Sequence, residues 1–328
     1  MEQGRTYGEV WKAGARRLAE AGIDDAEAEA GAELLILHVL GIGKAEMLRD
    51  LREPFPEAKR QAWETMLARR AAGEPAQYVT GEQYFYGRRF AVTPAVLIPR
   101  PETELLAEAV LEEAARLVAA RKARLSEELA EAAGVDGTGE SANGMAASDD
   151  APKMELRVLD VGTGSGALAV TLKLEQPGWQ VTASDLSREA LEVAAGNASA
   201  LGASVRFVQG DLLAPFLAGG ALAGERIDIL VSNPPYIPSS DLPGLQAEVR
   251  EHEPHLALDG GPDGLAPYRR MAEQLSGLAE LPAMVAWEVG IHQAEQAAAL
   301  LREAAAWDEI RVVRDYAGID RHVLALRF

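Results

Sequence analysis

The chain has 328 residues, no cysteine and a formal charge of −19 at pH 7. That length accommodates two domains, or one large α/β domain with an attachment. The lack of cysteine excludes disulfides, thiolate nucleophiles and Cys-rich metal sites, and the acidic balance opposes a protein that works by neutralising nucleic-acid phosphates.

Five histidines occur, His38, His252, His255, His292 and His322. None forms a spaced ligand cluster, and His252 and His255 read as solvated loop, so no metal is expected. Met1 to Val10 is polar, without an apolar signal core, and no apolar run has the length of a membrane span. The expectation is a soluble, cytoplasmic chain with no membrane partner.

In chain order, residues 6–73 carry helical stripes: Val10, Ala13 and Leu18, then Ala32, Leu34, Leu35, Leu37, Val39 and Leu40, then Trp63, Met66 and Leu67. Gly22, Gly41 and Pro54 punctuate them. Residues 1–75 are therefore predicted to be a small N-terminal helical domain, either a substrate-docking module or a stabilising cap. Gln77 to Val92 is rich in β-formers, with Gly81 and Gly87 among them, and predicts a β-hairpin within a linker, residues 76–97. Its aromatics serve either as hairpin core or as a wall of a substrate cleft.

The remainder, residues 98–328, opens with Pro99-Arg100-Pro101-Glu102-Thr103-Glu104 and a helix to about Ala120. Residues 126–152 turn Ala-, Gly-, Ser- and acid-rich, which predicts a flexible insertion in their second half. From Leu156 strands and helices alternate. Strands are expected at Arg157–Val161, Gln180–Ser184, Ser204–Val208, Ile227–Ser232, Ala283–Val289, Glu309–Arg314 and His322–Arg327. Helices are expected around 165–175, 187–201, 265–280 and 291–305. This alternation predicts a mostly parallel sheet covered on both faces, closed by a final hairpin.

Val158-Leu159-Asp160-Val161-Gly162-Thr163-Gly164-Ser165-Gly166 is an apolar strand entering a glycine-rich turn and a helix. Glycines at positive φ allow a ligand close to the backbone. Asp185, after the second strand, is placed to take ribose hydroxyls, and Asp211, in Gln209-Gly210-Asp211-Leu212, to reach an adenine amine. These features suit NAD and S-adenosylmethionine equally. The end of the fourth strand separates them: Asn233-Pro234-Pro235-Tyr236 is a stiff segment whose two prolines lack N–H donors. The carbonyls of Asn233 and Pro234 suit both hydrogens of an –NH₂ group, and Tyr236 offers a flat face to a planar amide or base. Holding such a nitrogen in line with a methyl sulfonium lowers the barrier by positioning, on the order of 7 kcal/mol.

Asn-Pro-Pro-Tyr is shared by adenine-amino DNA methyltransferases and glutamine-amide methyltransferases. Gln77-Tyr78-Val79-Thr80-Gly81-Glu82, Phe85-Tyr86-Gly87, Ile98 to Glu104, Val231 to Pro238, Asp263-Gly264-Leu265 and Asp315-Tyr316-Ala317-Gly318 together resemble the HemK/PrmC family of release factor glutamine methyltransferases. The resemblance implies a class I methyltransferase fold, Rossmann-like, with a seven-stranded mostly parallel sheet whose final strand is antiparallel. It also implies S-adenosylmethionine as methyl donor, S-adenosylhomocysteine as product, and class I peptide chain release factors as protein substrate, with no direct nucleic-acid partner. Gly162, Thr163, Gly164, Ser165, Gly166 and Asp185 would hold the cofactor, with Leu212 near the adenine and Asn233 at the edge of that site. Asn233, Pro234, Pro235 and Tyr236 would hold the glutamine, and Asn233, Pro234 and Tyr236 would carry the chemistry. The alternative is an adenine-amino DNA methyltransferase.

Overall fold

The computed structural model describes residues 5–132 and 155–328, which divide into two units. The smaller takes in the chain up to Gln83, Ala91–Ile98 and Pro243–His255. Its helices are α1 (Tyr7–Glu20), α2 (Asp25–Leu40), α3 (Lys44–Arg49), α4 (Glu57–Ala71) and α5 (Ala76–Thr80), with the later α9 (Ala247–His252). Local chemistry sets the helix ends. Thr6 and Glu9 form a reciprocal capping box at the start of α1, Asp24 caps α2, and Gly41 ends α2 in the left-handed conformation. The apolar stripes converge on Leu18, Leu35, Ile36, Trp63 and Leu67, all buried together.

Two strands, β1 (Glu82–Phe85) and β2 (Arg88–Ala91), form a hairpin. Tyr86 and Gly87 both have positive φ, 51° and 71°, as a tight two-residue hairpin turn requires. The hairpin is shorter than the sequence suggested. Residues 76–80 form a helix instead, because Pro75 presets the backbone before it and Gly81 stops it at φ 77°. The hairpin tip, Tyr84–Phe90, belongs to the larger unit, where Phe85 and Phe90 pack edge to face at 6.0 Å within its core. These two aromatics are core, while Tyr84 is exposed.

The larger unit begins with α6 (Pro101–Ala132) and continues β3 (Arg157–Val161), α7 (Ala167–Glu175), β4 (Gln180–Asp185), α8 (Arg188–Leu201), β5 (Val205–Gln209), β6 (Ile229–Ser232), α10 (Ala266–Leu275), β7 (Met284–Glu288), α11 (Ala294–Ala304), β8 (Glu309–Arg314) and β9 (Asp320–Leu326). The expected seven-stranded sheet is present, in the order β5-β4-β3-β6-β7-β9-β8. The first five of these are parallel, and β9 runs antiparallel to both β7 and β8. α6 runs past its expected end near Ala120 to Ala132, as Ala- and Glu-rich sequence favours, and the remainder of the expected insertion, 133–152, lies outside the described residues. The helix expected over 265–280 stops at Leu275, short of Gly277 and Pro282.

Strand pleat divides the core in two. Ile229 and Val231 of β6, with Met284 and Ala286 of β7, join the cluster that holds Leu106, Val110 and Leu117 of α6. Leu230, Val285 and Trp287 join the opposite cluster with Tyr268 and Met271 of α10 and Leu301 of α11. The pairing Ile229↔Met284 through Ser232↔Trp287 keeps the two strands in step. One residue further on, Asn233 and Glu288 therefore emerge side by side on the α6 face. No helix among the described residues is long and apolar enough to cross a membrane.

Trp287 is fully buried and packs on Tyr268 at 5.4 Å. Trp287→Ala should destabilise the larger unit by about 3–5 kcal/mol, the usual cost of removing so large a core side chain. Chemical unfolding followed by circular dichroism measures it, and a loss below about 1 kcal/mol would show that this face is not the packed core described.

Candidate active site

The glycine turn after β3 is fixed from below and left open above. Gly162 and Thr163 donate their N–H groups to the Ser184 carbonyl of β4, at 2.8 and 3.0 Å. Asp160, buried at the strand end, accepts from the Thr163 hydroxyl at 2.6 Å and from the Ala169 N–H at 3.1 Å, tying the turn to the start of α7. Burial pushes its carboxyl up to about 7, while those two donors hold it down. The Asn197 amide of α8 donates to the Ser165 carbonyl at 2.9 Å. Gly162 and Gly164 have φ of 72° and 55°, and a Cβ built on either meets no atom within 4 Å. Positive φ with open space in front is a backbone cradle for a ligand, which fits an adenosyl cofactor.

Asp185 closes this cradle at the end of β4. Its two carboxylate oxygens accept from the N–H groups of Gly164 and Ser187, each at 2.9 Å. Burial raises its carboxyl, and these backbone donors oppose the rise. Each oxygen keeps a second lone pair for a ribose hydroxyl. The turn after β5 rests on the same loop, through Gly210 N–H to the Asp185 carbonyl at 3.0 Å and the Gln209 amide to the Leu186 carbonyl at 3.1 Å. Leu212, at φ 52°, packs against the Trp287 side of the core. Gly162 to Gly166, Asp185 and Leu212 are thus gathered at the carboxyl ends of three adjacent strands. The Asp211 carboxylate pairs with Arg270 of α10 at 2.5 Å.

The Asn-Pro-Pro-Tyr segment leaves β6 at the same sheet edge. Ser232 donates to the Val161 carbonyl at 2.7 Å, linking it to the glycine turn. Gln293 donates its amide to the Tyr236 carbonyl at 2.9 Å and accepts from the Gly290 N–H at 2.9 Å. Gly264 passes so close that an added Cβ would lie 2.3 Å from the Tyr236 carbonyl oxygen. The segment therefore has little freedom. The Arg321 guanidinium stands over the Tyr236 ring at 5.7 Å. Burial and Glu288 push the Tyr236 hydroxyl pKa upward, with Arg321 opposing.

Asn233 is held from behind. Its Nδ2 donates to the Thr103 hydroxyl at 3.0 Å, and that hydroxyl donates to Glu288 Oε2 at 2.7 Å. Thr103 sits in the first turn of α6, and Glu288 is fully buried at the end of β7. Neither stood out in the sequence as a site residue, nor did Asp160 or Gln293. The one available signal was a charged residue ending an otherwise apolar strand, as in Met284–Glu288. No group of three or more acidic or histidine side chains able to hold a metal occurs among the described residues.

Two family models match the chain, the PrmC N-terminal domain over residues 9–81 and the methyltransferase small domain over residues 147–252. A release factor glutamine methyltransferase of Bacillus subtilis is 38% identical over 322 residues, 98% of each chain. One from Bacillus cereus is 39% identical over 90% of this chain and 92% of its own, and one from Moorella thermoacetica is 41% identical over 95% of each.

Gly164→Ala places a side chain at positive φ and into the cradle's open space. The strain of about 1 kcal/mol leaves the fold intact, whereas S-adenosylmethionine affinity should fall by about tenfold or more through lost close approach. Isothermal calorimetry compares the two proteins, and equal affinity would remove the turn from the cofactor site.

Proposed function

The chain belongs to the family of release factor glutamine methyltransferases, and from that premise we propose that it methylates the side-chain amide nitrogen of the glutamine in the Gly-Gly-Gln loop of class I peptide chain release factors. The methyl donor is S-adenosylmethionine, held by the glycine turn and by Asp185, with Leu212 beside the adenine. When bound, the donor supplies an electrophilic methyl group on a sulfonium sulfur. The enzyme would act in the cytoplasm, with the small helical unit receiving the protein substrate. The adenine-amino DNA methyltransferase reading is not favoured, since the relatives are named for release factors and a charge of −19 opposes a polyphosphate partner.

The observation that carries the reading is the Asn233 amide itself. Its Nδ2 donates to the Thr103 hydroxyl, which leaves Oδ1 as the acceptor we assign to the substrate amide. Pro234 contributes a carbonyl next in sequence. Two such acceptors hold both hydrogens of a primary amide and so fix the direction of its nitrogen. An amide nitrogen is a poor nucleophile because its lone pair is delocalised into the carbonyl. Fixing it in line is what a protein can contribute without a base of its own. As the new N–C bond forms and the methyl–sulfur bond breaks with its electron pair passing to sulfur, the nitrogen becomes acidic and loses its proton to solvent water, while the hydrogen bonds to Asn233 Oδ1 and the Pro234 carbonyl set its direction. Tyr236 covers the planar face, stiffened by Gln293 and Arg321.

Mass spectrometry of a class I release factor incubated with enzyme and labelled donor should place one methyl group on that glutamine. Methylation elsewhere, or none, would overturn the reading. Asn233→Ala should retain donor affinity yet slow single-turnover transfer by about 10²–10³, comparable to losing one preorganised polar contact. A wild-type rate would show that Pro234 and Tyr236 suffice.

A further inference from the structure

We infer that Thr103 and Glu288 are positioning residues that select which end of the Asn233 amide faces the acceptor nitrogen. The inference deepens the function proposed above and rests on it. An asparagine amide offers two nearly isosteric ends, a carbonyl that accepts and an NH₂ that donates. Only the carbonyl end can hold an N–H of the target, and a half-turn of the side chain would present the wrong one. Something in the protein must distinguish them.

The distinction follows from counting protons. The Thr103 hydroxyl has one proton, and Glu288 Oε2 takes it at 2.7 Å. What remains on Oγ1 is lone pairs, so the Asn233 atom at 3.0 Å must be a donor, Nδ2. Oδ1 then points to the ligand. Protonating Glu288 reverses every arrow. Its Oε1 is buried without a hydrogen-bond partner, so a proton there meets no acceptor, whereas one on Oε2 faces Oγ1. The hydroxyl would then accept from Glu288 and donate onward, which suits Asn233 Oδ1 and turns NH₂ toward the substrate. The side-chain chain Glu288–Thr103–Asn233 is thus a two-state relay whose polarity is set by one buried proton.

The groups around Glu288 make that proton labile near neutrality. Burial pushes its carboxyl up to about 7, and Glu102 of α6 adds to the rise. The Thr103 hydroxyl, Arg321 of β9 and the Asn233 amide oppose it. His322, also of β9, lies 3.9 Å from Oε2, but burial holds it down to about 4, and its Nε2 lies 3.1 Å from the Glu102 carbonyl, so it stays neutral there. Tyr236 faces the same cluster, and Tyr268 of α10 donates to the Glu288 backbone carbonyl at 2.7 Å; burial raises both phenols, leaving them uncharged. Glu288 is therefore the group of this cluster that changes charge as pH passes through about 7. Because the productive polarity needs the ionised carboxylate, transfer should strengthen as pH rises through that value.

The test compares wild type with Thr103→Val, Thr103→Ser and Glu288→Gln, using a class I release factor and saturating donor. Thr103→Val keeps the shape and removes the hydroxyl. It should lower kcat by about tenfold or more while leaving KM for the release factor and donor affinity within about twofold, and Thr103→Ser should restore the rate to within about threefold. Wild-type kcat should rise between about pH 6 and 8, and Glu288→Gln should flatten that rise. A wild-type rate in Thr103→Val, no rescue by serine, or an unchanged pH profile in Glu288→Gln would each overturn the relay. NMR of the Asn233 side-chain amide gives a readout that needs no turnover. Its N–H protection should be lost in Thr103→Val and return in Thr103→Ser. If wild type failed to methylate the release factor, the proposed substrate would fall while this measurement still decided the relay: unchanged protection in Thr103→Val would refute it.

Discussion

The arrangement of the reactive end depends on one constraint, the shared pleat of β6 and β7. Parallel strands in step place equivalent residues on one face, so a single register decides that Asn233 and Glu288 emerge together beneath the first turn of α6. A slip of one residue would send Asn233 to the α10 face and put Ser232 in its place. Register is held here by the apolar alternation beneath, since each of Ile229 to Val231 and Met284 to Trp287 is buried against a helix layer. Core packing and site geometry are the same fact viewed at two heights along the strand.

The glycine turn and the Asn-Pro-Pro-Tyr segment were legible in the sequence because their chemistry is local. Positive φ demands glycine within a few residues of the strand end, and two prolines announce their own rigidity. The support behind them was not legible. Thr103 and Glu288 are 185 positions apart, and nothing short of the fold says that a helix begun at Pro101 ends up over a strand closed by Glu288. Asp211 shows the same limit. Its position after β5 suggested a ligand contact, and local spacing says nothing of Arg270, which also reaches it from α10. The start of the hairpin and the run of α6 past residue 120 differed from expectation for a simpler reason. Bracketing residues, Pro75 and Gly81 in one case and a supply of Ala and Glu in the other, outweighed the average character of the stretch.

The larger unit also holds polar groups in places where burial penalises them. Asp160, next to last in β3, and Glu288, last in β7, each have one carboxylate oxygen lacking a hydrogen-bond partner, and burial raises both to about 7. Holding a buried carboxylate oxygen without a partner costs stability at either position. Both sit directly behind a proposed ligand contact, Asp160 under the glycine turn and Glu288 behind Asn233. That coincidence has a physical reason. A ligand-holding backbone or amide can only be aimed by partners that cannot themselves be recruited by water, so the aiming groups must be buried and must bear the desolvation.

The Pro99 to Glu104 segment thereby has a structural meaning. Pro101 opens α6 where a missing N–H costs nothing, and the Thr103 N–H bonds the Arg100 carbonyl at 3.1 Å. Glu102 offers its carbonyl to His322 at 3.1 Å on β9, and Glu104 accepts the Tyr86 N–H of the hairpin turn at 2.8 Å. Thr103, between them, reaches Glu288 on β7 and Asn233 beyond β6. Three consecutive residues of one helical turn thereby fasten the hairpin turn, the last strand and the two central strand ends to a single point. Successive helical side chains lie about 100° apart, which separates the Thr103 and Glu104 contacts, while Glu102 adds a third direction through its backbone carbonyl. A substitution there would loosen the aim of Asn233 without touching the cofactor cradle, because the glycine turn is tied instead to β4, α7 and α8. The proposed donor cradle and the proposed acceptor end are therefore held by separate contacts within one sheet edge, joined by the bond from the Ser232 hydroxyl to the Val161 carbonyl.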